Sequence, residues 1–184
     1  MNLGKLITEA KNGSTAAQKC LFDELGGKMR VTCLRYVKNP EDAEELMLNG
    51  FLKFFRNLPV FIYEDDPELF SYLKRIMVNE CLMFLRKKKV FTISADTLVT
   101  EIAIDEEALD NLTTEEILQL VLQLPVGYRT VFNLNAIEGY NHSEIAAMTG
   151  ISVGTSKSQL SKARVLLQKL LTQKGIEYAR QKFL

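Results

Sequence analysis

The sequence has no tryptophan, a single histidine, four prolines and three cysteines in 184 residues, and its 23 basic residues are matched by 23 acidic ones. Each shortage removes a class of function. His142 has no second histidine or cysteine nearby, which argues against a metal centre or a Ser-His-Asp constellation and leaves it as helix-start decoration. Cys20, Cys33 and Cys81 are odd in number and widely spaced, without a Cys-x-x-Cys pair, so they fit neither a disulfide framework nor a zinc site and are expected to be packed thiols. No apolar run approaches the ~20 residues of a bilayer span, and Met1–Lys5 lacks the apolar stretch of a secretory signal. A soluble, cytoplasmic protein is the expectation. A glycine-rich phosphate loop is also missing, so neither an enzyme nor a cofactor is expected.

What the chain has is apolar residues at helical spacing almost throughout, with 47% of its residues hydrophobic. Ser14 and Thr15, with Gln18 behind them, open a helix whose stripe is Leu21, Leu25, Met29, Cys33 and Val37, with Gly26-Gly27 as a candidate kink. Asn39 is a strong N-cap, with Pro40 at the first helical position and Glu41, Asp42, Glu44 and Glu45 at the positive end of the helix dipole. Ala43, Leu46, Met47, Gly50, Phe51, Phe54 and Leu58 share one face of this helix, while Leu48, Leu52 and Phe55 make a second stripe that suggests a second binding surface. Leu58 to Asp66 reads as a loop. Asp66-Pro67-Glu68 starts a further helix with the stripe Leu69, Phe70, Leu73, Ile76, Met77, Cys81 and Phe84, ending in the cations Arg86 to Lys89.

Charge then divides the chain. Residues 1–91 hold 15 basic and 12 acidic groups, residues 92–112 hold six acids and no Lys or Arg, and residues 113–184 hold 8 basic and 5 acidic groups. The expectation is an all-α protein of two small helical domains, 1–91 and 113–184, joined by a flexible acidic linker over 92–112. Thr113-Thr114-Glu115-Glu116 reads as a capping box opening the second domain.

Within that domain, His142 to Thr155 has the syntax of a helix, a glycine turn and a second helix. Ile145 and Ala146 are expected to face inward, Gly150 to supply a positive φ, Ile151 to plug the angle and Ser152 to cap the second helix. At about 100° per residue, Val153, Leu160, Ala163, Leu167 and Leu171 fall on its buried face, while Thr155, Ser158 and Lys162 point away. Short hydroxyls and long cations there suit a major groove, and Lys157 and Arg164, on a flank, suit phosphates. An αα-hairpin with a solvated face has the same spacing.

Leu124-Pro125, Tyr128-Arg129, Val131-Phe132, Glu138-Gly139-Tyr140, Glu144-Ile145-Ala146 and Gly150 to Ser158 resemble region four of the bacterial extracytoplasmic-function sigma factors. Asn39 to Leu46, Phe51-Leu52, Phe70 to Ile76 with Asn79, and Leu85 to Lys88 are similar to region two of the same family. The resemblance implies a dissociable subunit of bacterial RNA polymerase. It implies contacts to the minus-thirty-five element by Thr155, Lys157, Ser158, Gln159, Lys162 and Arg164. Minus-ten recognition and melting fall to Tyr63, Tyr72, Lys74, Arg75, Asn79, Arg86 and Lys87, and binding of the polymerase core to Asp42, Glu45, Leu48, Asn49 and Leu52. Asn79 stands where the family captures a flipped base, and opening a duplex without ATP requires such pockets, stacking surfaces and cations. Phe61 is better read as core.

The resemblance further implies polymerase clamp and flap contacts, promoter DNA, an anti-sigma factor and no membrane insertion. Leu48, Asn49, Gly50, Tyr72, Met83 and Gln159 depart from the family's usual residues. Two alternatives remain at this point: a stand-alone helix-turn-helix regulator, which would normally dimerise on two half-sites, and a helical protein-interaction adaptor.

Overall fold

The computed structural model describes residues 2–88 and 114–173, all helices and their connections, with no strand among them. Packing divides the chain into two compact units, Met1–Leu85 and Arg86–Leu184.

In the first unit, α1 (Leu3–Lys11), α2 (Thr15–Val37), α3 (Pro40–Asn57) and α4 (Asp66–Lys87) surround an apolar core, with a 3-10 turn at Leu58–Val60. The caps explain the boundaries. Ser14 Oγ accepts from the Ala17 amide at 3.2 Å, and Asn39 Oδ1 accepts from the Asp42 amide at 2.7 Å. α2 ends at Lys38, a non-glycine residue held at φ 68°. Leu21, Leu25, Met29 and Cys33 of α2, Phe51 and Phe54 of α3, and Leu69, Leu73, Met77 and Cys81 of α4 are all buried.

Several expectations change here. α1 was not legible, and it carries Leu3, Ile7 and Ala10 into the core. α2 is continuous through Gly26-Gly27. The cap of α4 is Asp65, whose Oδ1 accepts from the Glu68 amide at 2.7 Å, which leaves Asp66 free to receive the Tyr63 hydroxyl. Cys33 and Cys81 are packed thiols as expected, but Cys20 is exposed. Contact with Cys33 and, second, burial push the Cys81 thiol well above its ordinary pKa, so this sulfur is held as the unreactive thiol.

In the second unit, α5 (Thr114–Val121) is followed by α6 (Val126–Phe132), which widens into a π turn at Asn133–Ile137, then α7 (His142–Thr149) and α8 (Val153–Gln173). Leu118, Leu120, Val121, Val131, Phe132, Leu134, Ile145, Leu160, Ala163, Leu167 and Leu171 form its core. Arg129 is buried with them and donates from Nη1 to the Leu124 carbonyl at 2.9 Å; desolvation lowers its pKa. The capping box expected at Thr113 begins outside the described residues. A complete one stands instead at α7, where Asn141 accepts from the Glu144 amide and the Glu144 carboxylate accepts from the Asn141 amide.

Candidate nucleic-acid interface

The turn between α7 and α8 follows from one glycine and one serine. Gly150 takes φ +77° and donates to the Ala146 carbonyl, closing α7 with a left-handed residue that an L side chain would strain. Ser152 Oγ then accepts from the Thr155 amide at 3.0 Å and pairs with the Thr155 hydroxyl at 2.9 Å, which starts α8. Ile145 is buried, Ile151 half-buried, and Ala146 half-exposed rather than inward.

α8 presents two polar surfaces. Thr155 and Ser158 are exposed and Lys162 half-exposed on the outer face, while exposed Lys157 and half-exposed Arg164 lie seven residues apart along one flank. Val153 is 39% exposed and stands outside the core to which its period assigned it. Gln159 is the other departure. A Cβ on Gly127 would stand 3.1 Å from its Nε2, and its Oε1 is buried without a hydrogen-bond partner, so its amide is spent against α6 rather than turned outward with the rest of the set.

His142 is more than decoration. Its Nδ1 lies 2.9 Å from the Oγ of Ser156, a fully buried residue of α8, so the ring ties the two helices together. Desolvation first, then the charges of Lys157 and Arg164, hold the imidazole below its ordinary pKa. A serine on the inward period of α8 signals a buried polar contact without naming its partner.

In the first unit, the connection from α3 to α4 is tied down by aromatic packing and by α1. Phe61 is buried and its ring stacks on that of Tyr72 with centroids 4.8 Å apart. Lys11 of α1 donates to the Phe61 carbonyl. The half-buried Tyr63 lies against Gly4 of α1, where a Cβ would come within 2.8 Å of its ring, and its hydroxyl donates to Asp66 at 2.5 Å, a bond that raises the phenol's pKa. Between these anchored residues the chain exposes Val60 at 82% and Ile62 at 75%.

On α4, Arg75, Asn79, Arg86 and Lys87 are exposed and Tyr72 and Lys74 half-buried. Arg75 and Asn79 are one helical turn apart on a common face, as are Asn79 and Arg86 at two turns, so these groups form a polar strip along the helix. On α3, Leu48 and Leu52 are 44% and 56% exposed, with Glu45 exposed and Asp42 and Asn49 half-buried. Of the second apolar stripe, Leu48 and Leu52 are therefore uncovered within the unit, while Phe55 is half-buried with its ring against Phe51 and Phe54.

Among the described residues no cluster of His, Cys, Asp and Glu could hold a metal ion, and no helix is long and apolar enough to cross a membrane.

Known proteins give these surfaces a context. The model of sigma-70 region 2 matches residues 21–90 and that of sigma-70 region 4 matches residues 114–167. The chain is 29% identical to the ECF RNA polymerase sigma factor SigW of Bacillus subtilis over 93% of its own length and 97% of that protein. It is 30% identical to the ECF RNA polymerase sigma factor SigM of Mycobacterium tuberculosis over 73% of its length and 66% of that protein. Among solved structures, the sigma factor RpoE of Bartonella quintana, in complex with the anti-sigma factor NepR, shares its fold at TM-score 0.50 and 24% identity, covering 84% of this chain and 96% of that one.

Proposed function

The chain belongs to the sigma-70 factors, as an alternative sigma factor of extracytoplasmic-function type that directs transcription, and on that basis we propose how its surfaces divide the work. It is not an enzyme; its partners are RNA polymerase and promoter DNA. Residues 1–91 act as region two, 92–112 as the acidic linker and 113–184 as region four. The factor works in the cytoplasm, where polymerase and promoter are.

Region four reads the minus-thirty-five element. The observation that carries this reading is the Gly150 turn, which leaves Thr155, Ser158 and Lys162 together on the outer face of α8. The short hydroxyls let the helix backbone approach base edges, Lys162 reaches further, and Lys157 and Arg164 bind phosphates beside the groove. Gln159 packs its amide against Gly127 of α6 and stands beside this outward-facing set.

Region two engages the minus-ten element through Tyr63, Tyr72, Lys74, Arg75, Asn79, Arg86 and Lys87. The cations of α4 hold the backbone of the separated strand, Asn79 supplies hydrogen bonds to an extruded base and the aromatics offer stacking area. Tyr63 and Tyr72 are positioned by the Asp66 bond and by the stack on Phe61. The polymerase clamp docks on α3 at Asp42, Glu45, Leu48, Asn49 and Leu52, where exposed Leu48 and Leu52 supply the apolar centre that an interface requires. The flap contacts region four. An anti-sigma factor competes for the same exposed stripe; the related fold from Bartonella quintana was solved bound to one.

The test is in vitro transcription with bacterial core polymerase on a fragmented genomic library, with and without this protein, mapping transcript 5′ ends. Starts that depend on the protein and share two spaced sequence elements are expected. No new starts, while another sigma factor succeeds in the same reaction, would overturn the reading.

A further inference from the structure

The flank of the helix-turn-helix beside α7 holds one group that the recognition face does not use. His142, the chain's single histidine, opens α7, and its bond to the buried Ser156 fixes the imidazole at the junction of the two helices. The ring stays half-exposed, and its Nε2 has no hydrogen-bond partner among the described residues. Lys157 follows Ser156 directly, and Arg164 lies two turns further along the same flank, so three nitrogen-bearing side chains from two helices border one surface. The first helix of this motif crosses the DNA backbone where it enters the groove.

We propose that His142 is a further DNA-backbone contact, forming with Lys157 and Arg164 a phosphate-binding flank of the helix-turn-helix. The inference rests on the reading of this unit as the promoter-binding region four.

Its consequence is a proton taken up on binding. In the free chain desolvation first, and then the two cations, favour the neutral ring. The carboxylates of the surrounding elements do not oppose them. Glu144 is folded back onto the Asn141 amide at 2.7 Å, and Glu138, in the turn before α7, is not among the charges acting on the ring. Lys162, also on α8, is likewise not among those charges. A phosphate seated on this flank reverses the field, neutralising Lys157 and Arg164 and favouring imidazolium. The bound-state pKa then lies above the free-state pKa, so affinity is greatest below the free value and falls as pH rises through the bound one. Because a backbone contact carries no base information, the effect is the same for every promoter.

The test compares the wild type with His142→Asn, whose amide can keep the Ser156 bond, each assembled with core polymerase on a promoter mapped by the transcription experiment. The slope of log K against log salt is measured at pH 6 and pH 8. A gained phosphate contact adds about 0.9 to that slope, so the wild type is expected to steepen by about that amount at pH 6 relative to the variant. His142→Lys, with a permanent cation, is expected to keep the steep slope at both pH values. In parallel, the single histidine gives one set of imidazole resonances in the full chain, and a duplex carrying the mapped upstream element is expected to shift its titration upward. Equal slopes for wild type and His142→Asn at both pH values, or an imidazole titration unmoved by the duplex, overturn the proposal alone if binding still depends on the upstream element. If that dependence is lost in the wild type at both pH values, the region-four reading falls with it.

Discussion

At the scale of single residues, Gly150 and Gly50 are glycines for different reasons, and substitutions separate them. A Cβ on Gly150 would meet nothing within 4 Å, but its φ of +77° is left-handed, so Gly150→Ala is expected to cost about 1 kcal/mol through backbone strain alone. Gly150→Asn should recover part of that loss in urea titrations. Gly50 sits on α3 against α4, and a Cβ there would collide with the Met77 sulfur, so its cost is steric and depends on whether the methionine can turn aside. The first reason was legible, because a glycine between two helical periods announces a positive φ. The positive φ of Lys38 was not, since nothing in a lysine signals it. Nor was the His142–Ser156 bond, because the period of α8 places Ser156 inward without saying what meets it.

At the scale of elements, caps were the readable feature and tertiary polar contacts were not. Asn39-Pro40 fixed the start of α3, and Asn39→Ala, which removes the acceptor of the Asp42 amide, is expected to destabilise the first unit by about 1 kcal/mol in denaturant unfolding. The pattern places the start of α4 one residue late because Asp65 and Asp66 are both competent caps, and only the Tyr63 hydroxyl shows which one is otherwise engaged. α1 escaped notice since nine residues around Gly4 carry too short a stripe to stand out. Its role is nevertheless specific. Lys11→Met, which removes the donor to the Phe61 carbonyl, is expected to loosen the connection that carries Tyr63. Strand opening at the minus-ten element should fall severalfold, read by permanganate footprinting, while binding to the upstream element is unchanged. Between α3 and α4, Lys53 pairs at 2.5 Å with Glu80, whose side chain is only 9% exposed. Lys53→Met leaves that carboxylate buried and unpaired, at an expected cost of about 1–3 kcal/mol, the lower end applying because Lys53 itself is half in solvent. Lys53→Met with Glu80→Gln should restore part of the loss, since the amide is far cheaper to bury than the charge.

At the scale of the whole molecule, the balance of charge matters more than its total. The segments 1–91 and 113–184 each carry a net +3, and the six acids of 92–112 cancel both. That pattern is plain in the sequence and is the basis of the expected division into two helical parts, while the direction of each cation comes from the helices' packing. Among the described residues, Lys157, Lys162 and Arg164, joined by His142 when it is protonated, are the candidate phosphate contacts around the recognition helix, so the salt slope of upstream binding is expected to be about −3 near neutral pH and about −4 with imidazolium. Such a surface holds DNA weakly, and a chain of zero net charge gains little from long-range attraction. The acidic segment is therefore expected to keep the free factor off bulk DNA, leaving promoter binding to the complex with polymerase, where region two adds its own contacts. Replacing Asp96, Glu101, Asp105, Glu106, Glu107 and Asp110 by their amides raises the net charge to +6 without touching either helical region. The free variant is therefore expected to bind non-promoter duplex at least several-fold more tightly than the wild type at low ionic strength, with the difference shrinking towards physiological salt as screening sets in. Anisotropy titrations of the two proteins on a promoter-free duplex decide it, and equal affinities at low salt would mean that the segment's charge has no part in keeping the factor off DNA.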